Sequence, residues 1–276
     1  MNVEQIKKTF RSPSAAEYPE LRGYSRADVY KGNMGPGGLY LATQMARSLR
    51  LAKGQRVLDL GCGRGATSVF LAKQYGVSVV AVDLWTSATK LYQRFQQHGT
   101  EDRIFPLNLD FTTKLPFAYD YFDAVFCMDS VHLYGGAPGF WGNLLPHLKK
   151  RGRLCIGGPC FNSEFSFEAI QESPAVHDDG SNLWSKEFSR YHPPQWWADL
   201  IQQTGQMAVQ KSQELADGII YWEDDVLHNI EQGGRAEDAQ RDADQITWRR
   251  EGMPYLTHFV LCAQKKTRQS AMAPLC

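Results

Sequence analysis

The chain has 276 residues, and its 30 lysines and arginines are balanced by 30 aspartates and glutamates. Hydrophobic residues make up 43% of the chain and charged residues 22%, which supports a buried core and excludes disorder of the whole chain. The neutral balance argues against a nucleic-acid partner, because phosphate contacts normally require an excess of lysine and arginine.

The order of the predicted elements indicates one α/β sheet. After a polar segment that ends near Arg22, apolar periodicity predicts helices over 39–49, 66–75, 87–98 and 140–149. Short β-branched runs predict strands over 56–60, 77–83, 103–110, 123–129 and 153–157. Strands that alternate with helices of this length form a parallel sheet with right-handed crossovers.

The second half of the chain differs in composition. Residues 162–206 are rich in aromatic residues, and strands are predicted over 207–213 and 255–264. Between those strands, one helix is predicted around Trp222 and Ile230 and another around Ala236 and Ile246. We therefore expect an N-terminal lid segment over 1–38, a ligand-binding core over 39–161, and an α-helical, aromatic-rich cap with the last strands over 162–276.

Targeting and metal signals are absent from the sequence. No run approaches the ~20 apolar residues of a membrane helix, and the N-terminus lacks the apolar centre of a secretory signal. The six cysteines contain no CxxC pair and no zinc spacing. We expect a cytoplasmic protein with reduced thiols, no metal ion and no membrane span.

A glycine-rich turn joins the first predicted strand to the helix after it. Gly61, Gly63 and Gly65 let the backbone approach a ligand, although Gly61, Gly63 and Ala66 also satisfy the dinucleotide pattern GxGxx[GA]. Asp59 lies two residues before the first glycine. A pyrophosphate ~4 Å from that carboxylate would cost about 4 kcal/mol at an effective dielectric of ~20, whereas a cationic ligand would be stabilised.

Acidic residues recur at the ends of the next three predicted strands. Asp83 ends the second strand, Asp110 the third and Asp129 the fourth. With the turn over 57–65, this order resembles the class I S-adenosylmethionine-dependent methyltransferases over residues 39–161, and their small-molecule or cyclopropane-synthase-like branch in particular. The resemblance implies an open, mostly parallel, Rossmann-like methyltransferase sheet with S-adenosyl-L-methionine as cofactor.

The resemblance also implies roles for single residues. Asp83 is expected to bind both ribose hydroxyls, Asp110 the adenine amino group and Asp129 the methionine moiety. The segment from Asp110 to Leu115 is one residue longer than the family pattern, so the adenine contact could shift to a neighbour. The expected cofactor-binding residues are Asp59, Gly61, Cys62, Gly63, Asp83, Leu84, Trp85, Asp110, Phe111 and Asp129.

Structural roles are the alternative for several of these residues. Asp59 and Asp110 could instead cap turns through backbone amides, and Asp83 could cap the following helix. Trp85 could pack under a loop rather than against adenine.

The same sheet edge supplies candidates for catalysis. His132 follows the fourth strand and titrates near neutrality, which suits a general base. Tyr24, in the N-terminal loop, and Glu187, after the fifth strand, are further candidates. Acceptor-binding residues are expected in the lid and the cap, although each could instead be a packing residue. They are Tyr30, Trp184, Tyr191, His192, Trp196 and Trp197.

Trp196 and Trp197 are adjacent at the start of a predicted helix, where neighbouring side chains point about 100° apart. One of them is therefore expected to pack against the sheet and the other to face the pocket or a partner.

These observations predict an enzyme that transfers a methyl group from S-adenosylmethionine to an O, N, C or S atom of a small molecule. The alternatives are cyclopropane-synthase-like alkylation of a lipid-like acceptor, or a non-catalytic S-adenosylmethionine-binding module. A small-molecule acceptor is the expected partner, and the chain could form a homo-oligomer.

Overall fold

The computed structural model describes residues 3–10, 12–14, 16–162, 188–215, 218–232, 243–244, 246–247, 250 and 256–267. The strands are β1 (Arg56–Leu60), β2 (Ser78–Asp83), β3 (Ile104–Asn108), β4 (Phe122–Met128), β5 (Leu148–Phe161), β6 (Met207–Leu215) and β7 (Leu256–Lys265). The helices are α1 (Val3–Thr9), α2 (Arg26–Tyr30), α3 (Gly38–Leu49), α4 (Ala66–Tyr75), α5 (Ala88–Gln97), α6 (Phe140–Leu144), α7 (Pro194–Gln203) and α8 (Gly218–Glu231).

The described strands form one sheet in the order β3-β2-β1-β4-β5-β7-β6. β1 to β5 are parallel, and β7 is antiparallel to both β5 and β6. The predicted open, mostly parallel, Rossmann-like sheet is confirmed. The strand order reverses between β1 and β4, and ligands of open α/β sheets bind outside the carboxyl ends of the strands at such a point.

Successive residues of the central strands enter two different cores, because strand side chains alternate between the faces of a sheet. Leu58 and Val125 belong to the core that α7 covers. Val57 and Phe126 belong to the core beneath α3 and α4. Both faces of the parallel sheet are therefore buried, and its carboxyl-terminal edge is left for the site.

Most predicted bounds agree with the structure to within two residues, but the helix expected over 140–149 is wrong in its second half. α6 ends at Leu144, a 3₁₀ turn covers Leu145–His147, and β5 begins at Leu148. Pro146 restricts the residue before it, and Leu148 pairs with Phe122 of β4. β5 also extends four residues beyond the predicted end at 157, because β7 pairs with it as far as Phe161.

α7, which lies in the predicted cap, packs against the sheet at β6 and β7. Trp197 is 1% exposed, and its indole lies parallel to the ring of Phe259 on β7 at 6.3 Å. α8 follows β6 and packs against α2 and α3, which joins it to the N-terminal segment. Residues 163–187 of the predicted cap lie outside the described residues.

The predicted helix around Ala236 and Ile246 is described only at 243–244, 246–247 and 250, where it is helical. Ala243 and Ile246 form a small core with Ile6 of α1 and with α8. The cysteines at 62, 127, 155, 160 and 262 are buried free thiols. None of the helices in the described ranges is long and apolar enough to cross a membrane.

Candidate active site

The turn between β1 and α4 depends on glycine. Gly61, Gly63 and Gly65 all have positive φ, at 73°, 57° and 87°. A Cβ at Gly61 would also collide with the hydroxyl of Ser130. The amides of Gly61 and Cys62 both donate to the carbonyl of Val82, at 2.8 and 3.0 Å. The glycines therefore allow close approach of the backbone, while these two amides are already bonded within the protein.

A cavity of about 430 Å³ opens beside this turn, at the carboxyl ends of β1, β2 and β4. This volume lies within the range of small-molecule sites. All of the residues expected to bind the cofactor line it, with the exception of Asp59. The strand ends thus bring together side chains that are far apart in the sequence.

Asp83 occupies the centre of this edge. Its Oδ2 accepts a hydrogen bond from the amide of Gly63 at 2.9 Å, and its Oδ1 accepts from the amides of Trp85 and Thr86 at 2.8 Å each. The carboxylate therefore does cap the following turn. A carboxylate has about four acceptor sites, so it retains capacity for a hydroxyl donor in the cavity.

Asp59 lies beneath the glycine turn and not in the cavity wall. It is 1% exposed, and its Oδ2 accepts from the hydroxyls of Thr67 and Ser68 at 2.6 Å each. Burial raises the pKa of Asp59 to about 6. Direct contact between this carboxylate and a ligand stays a prediction, since α4 supplies the hydroxyls that enclose Asp59, and Thr67 lines the cavity instead.

The β2 and β3 side of the cavity combines exposed apolar surface with one acid. Leu84 and Trp85 are exposed, the latter at 68%. Asp110 accepts hydrogen bonds from the amide and hydroxyl of Thr112, and the hydroxyl holds the pKa of Asp110 below its ordinary value. Asp110 is therefore a turn residue that also lines the cavity. Phe111 is buried edge-on against Tyr134, at 4.7 Å between ring centroids.

The β4 side is closed by the N-terminal segment. Asp129 has a φ of 52°, and its Oδ2 accepts a hydrogen bond from the amide of Gly37 at 2.9 Å. A Cβ at Gly35 would collide with the Asp129 side chain. Asn33 and Met34 also line the cavity. The glycines before α3 thus bring the chain across the site, a placement that local sequence patterns do not reveal.

Tyr24 and Tyr30 do not line this cavity. Tyr24 packs edge-on against Phe70 and lines a separate cavity on the α3 side. Tyr30 is buried, and its hydroxyl donates to Oδ2 of Asp224 at 2.6 Å. The catalytic role expected for Tyr24 and the acceptor role expected for Tyr30 are therefore not supported. Tyr30 connects α2 to the buried carboxylate of α8.

His132 is also absent from the wall formed by the described residues. It is 7% exposed, and its ring is edge-on to Tyr191 at 5.0 Å. Tyr191 is itself buried and contacts the rings of Phe161 and Trp222. His132, the expected base, and Tyr191, an expected acceptor residue, therefore pack against each other. Tyr191 immediately follows the 3₁₀ turn at Phe188–Arg190 and contacts Phe161 at the end of β5.

The remaining aromatic candidates form a cluster of rings beside Gly135, Gly136 and β7. His192 lies parallel to Trp196 at 3.7 Å, and burial lowers the pKa of His192. Trp196 is half-buried, whereas Trp197 is in the core. One of the pair does pack against the sheet, as expected, but neither lines the cavity. Glu187 and Trp184 lie outside the described residues.

Several lining residues were not among those predicted from the sequence, and three of them bear on the chemistry of the site. Ser130 and Tyr134 hydrogen-bond each other at 2.8 Å, and both contact the Cys127 thiol, whose pKa burial raises to about 12. Arg190 is the single basic residue among the described lining residues. Ser130 could have been predicted as a lining residue because it lies just after β4. The position of Arg190 could not be predicted, because it depends on the path of the chain after β5.

Comparison with known proteins identifies the family of the central region. Residues 57–152 match the family described as "Methyltransferase domain". This chain carries a class I S-adenosylmethionine-dependent methyltransferase domain.

Several named proteins resemble the domain. A phosphoethanolamine N-methyltransferase of Zea mays is 26% identical over 152 residues, which are 53% of this chain and 30% of that protein. Erythromycin 3''-O-methyltransferase of Saccharopolyspora erythraea is 32% identical over 42% of this chain and 39% of its own length. The matched region thus spans about a third of these relatives.

A solved structure extends the likeness to the fold of nearly the whole chain. Phosphoethanolamine N-methyltransferase 2 of Haemonchus contortus, in complex with S-adenosyl-L-methionine, superposes with a TM-score of 0.67 at 17% identity. The match covers 92% of this chain and 60% of that one.

The residues of the methyltransferase domain fit its cofactor, S-adenosylmethionine. The cavity has a carboxylate at the end of β2, exposed apolar side chains next to it, and a close backbone approach at Gly61 and Gly63. These features suit a ribose, an adenine and an amino-acid moiety respectively. A second carboxylate, Asp129, lies where a cationic ammonium group would be stabilised.

Proposed function

We propose that the protein transfers a methyl group from S-adenosylmethionine to a small-molecule acceptor. The observation that carries this proposal is the cavity at the carboxyl ends of β1, β2 and β4, which contains Asp83 and Asp129 at opposite sides of the glycine turn. The match of residues 57–152 to a methyltransferase domain supports it.

The chain's own residues would bind and orient the ligands. When bound, the cofactor supplies a methyl group activated on a sulfonium. Asp83 would accept hydrogen bonds from ribose hydroxyls, and Leu84 and Trp85 would cover adenine. Asp129 would face the methionine moiety while its other oxygen keeps the amide of Gly37, and with it the N-terminal segment, across the site.

The acceptor would bind on the β4 side. Leu133 and Arg190 line the cavity there together with Asp129. The guanidinium favours an acceptor with an anionic or strongly polar group, because Arg190 is the single cation among the described lining residues. No histidine lines the cavity within the described residues, so we propose that positioning contributes more to the reaction than a protein base.

Calorimetry tests the cofactor assignment. The protein should bind S-adenosylmethionine and S-adenosylhomocysteine and should bind NAD at least about tenfold more weakly, because the Asp59 carboxylate disfavours a pyrophosphate near the turn. Comparable or tighter binding of NAD would contradict the assignment.

Radiolabelled methyl transfer tests the activity. Phosphoethanolamine and erythromycin, the molecules that appear in the names of the relatives, begin the panel. Product formation on any small acceptor supports the proposal. Cofactor binding without turnover over a broad panel would favour the non-catalytic binding module instead, and product on lipid vesicles alone would favour lipid alkylation.

The wider setting stays a prediction. A cytoplasmic location, a homo-oligomeric state and the division into a lid over 1–38, a core over 39–161 and a cap over 162–276 are all proposed. Limited proteolysis with and without S-adenosylhomocysteine would test that division, because cofactor should protect the segment before residue 38 if it covers the site.

A further inference from the structure

A second cavity lies next to the cofactor cavity and shares two of its walls. It measures about 390 Å³ and is lined by Met34, Arg64, Trp85, Thr86, Lys90 and Arg94. Met34 and Trp85 also line the cofactor cavity, so they separate the two spaces. The second cavity lies on the Trp85 side, whereas the acceptor side of the cofactor cavity is at Leu133 and Arg190.

Three of the six lining residues are cations, and none is an acid. Within the described residues, no carboxylate oxygen lies within salt-bridge distance of Arg64, Lys90 or Arg94. Asp83, the acid closest to Lys90 in the sequence, is already bonded to three amides. Burial, together with the charge of Arg64, lowers the pKa of Arg94. Without an anion, the three like charges therefore repel one another.

The first turn of α5 departs from the usual charge pattern in the same place. It carries Lys90 and no acidic residue, although the amino end of a helix favours negative charge. Lys90 and Arg94 are four residues apart on this helix, a spacing at which like charges are destabilising. Departures of this kind from local rules are expected where a site binds a ligand.

The Arg94 side chain is held in position by the lid backbone. Its Nη2 donates to the carbonyl of Lys31 at 2.7 Å. Gly32 has a φ of 88°, and a Cβ there would collide with the guanidinium. Its Nε is buried without a hydrogen-bond partner in the described part of the chain. The guanidinium is thus ordered before any ligand arrives, and most of its donors are not used by the protein.

We propose that Arg64, Lys90 and Arg94 form a binding site for the phosphate group of a small phosphorylated molecule, separate from the cofactor and acceptor sites. A phosphate offers several acceptor oxygens to a pair of guanidinium groups and an ammonium. The amides at the amino end of α5 add a favourable dipole. The concave shape and the neutral charge of the whole chain favour a small molecule over nucleic acid.

Inorganic pyrophosphate is the probe, titrated by calorimetry into the full chain saturated with S-adenosylhomocysteine at constant ionic strength. One molecule should bind per chain. Arg64→Gln and Lys90→Glu should each weaken binding by about tenfold or more, as expected for loss of a charge-assisted contact. The controls are at Lys73, an exposed residue of α4: Lys73→Gln matches the charge change of Arg64→Gln, and Lys73→Glu matches that of Lys90→Glu. Both controls should stay within about twofold of the wild type.

Lys90→Glu is chosen because it should not destabilise the fold, so a loss of binding in this variant is not caused by unfolding. It places an acid in the first turn of α5 and creates a Glu–Arg pair at four-residue spacing, so its melting temperature should equal or exceed that of the wild type. The proposal is overturned if the wild type does not bind pyrophosphate, or if the Lys73 variants lose binding equally. It is also overturned if S-adenosylhomocysteine abolishes binding, because the anion would then occupy the cofactor cavity. None of these outcomes depends on methyl transfer, so the test is independent of the proposed function.

Discussion

Two regions differ in where their candidate site residues lie: the carboxyl ends of β1 to β4, and the aromatic-rich region after β5. Asp83 ends a parallel strand, Asp110 and Asp129 lie just after one, and all three line one cavity. Tyr191 and Trp197, which lie after β5, were also predicted to bind a ligand, yet both are buried against other rings. Position at a strand end therefore predicted a cavity residue better than residue type did.

The difference has a geometric cause. A parallel strand delivers the residue at its carboxyl end to the same edge as its neighbours, whichever helix follows. An aromatic ring on a helix can be buried in any of several directions, and large apolar side chains gain most when fully enclosed. Substitutions in the aromatic region should therefore lower the free energy of unfolding, whereas substitutions at the strand ends should weaken ligand binding.

The largest effect is expected at Trp197. Trp197→Ala should destabilise the fold by about 3–5 kcal/mol, since it removes a buried indole stacked on Phe259. Urea unfolding measures this, with the half-buried Trp196→Ala as the control and a smaller expected cost. Cofactor affinity of the folded Trp197 variant should be unchanged. A stable Trp197 variant with weakened acceptor binding would show that Trp197 lines the acceptor pocket. It would contradict the difference drawn between the strand ends and the aromatic region.

Asp83 is expected to show the opposite behaviour. Asp83→Ala should reduce cofactor affinity by about 1.5–3 kcal/mol, as for hydrogen bonds to a charged group. Asp110→Ala is the matched control on the same edge and should cost less, because Asp110 is exposed and bonded to Thr112. Calorimetry with S-adenosylhomocysteine gives both values. Equal losses at the two sites would mean that the ribose and adenine contacts contribute alike.

Asp59 should make cofactor binding depend on pH. Its pKa in the folded protein is about 6, above the ordinary value of 3.8, so protonation of Asp59 favours the fold at low pH and this contribution is lost as pH rises through about 6. The positively charged cofactor prefers the ionised carboxylate. Affinity should therefore rise between pH 5 and 7, by about 1–2 kcal/mol for a charge ~10 Å away at an effective dielectric of ~20.

Asp59→Asn checks the origin of that dependence. It keeps the size of the side chain and removes the charge, so the rise in affinity between pH 5 and 7 should disappear. A pH dependence that persists in a folded Asn variant would have to come from another group.

The smallest effect is expected at Tyr30. Tyr30→Phe removes a hydrogen bond to Asp224, while Arg26 still pairs with that carboxylate at 2.7 Å. A loss of about 1–1.5 kcal/mol in the free energy of unfolding should follow. Tyr24→Phe is the control and should be near neutral, since the Tyr24 hydroxyl has no hydrogen-bond partner among the described residues. If Tyr30→Phe instead changed only the acceptor KM, Tyr30 would be an acceptor contact.

The sequence predicted the sheet and the cavity edge well because both depend on short-range patterns. Alternation of strands and helices requires a parallel sheet, and Gly61 and Gly63 mark the turn at which a backbone approaches a ligand. The helix over 140–149 failed where Leu148 pairs with β4, a partner distant in the sequence. The burial of Asp59 was not predicted for a similar reason, because the two hydroxyls that enclose it come from α4.

The sequence by itself determined the class of fold, the family resemblance and the acids at the carboxyl ends of the strands. Tertiary structure alone decided that Asn33 and Met34 close the cavity, that Arg190 lines it, and that three cations gather beside Trp85. Strand ends and glycine turns are set by neighbours within a few residues. Contacts between side chains that are distant in the sequence depend on the paths of the helices and loops that connect the strands. Those paths are determined by the packing of the whole chain.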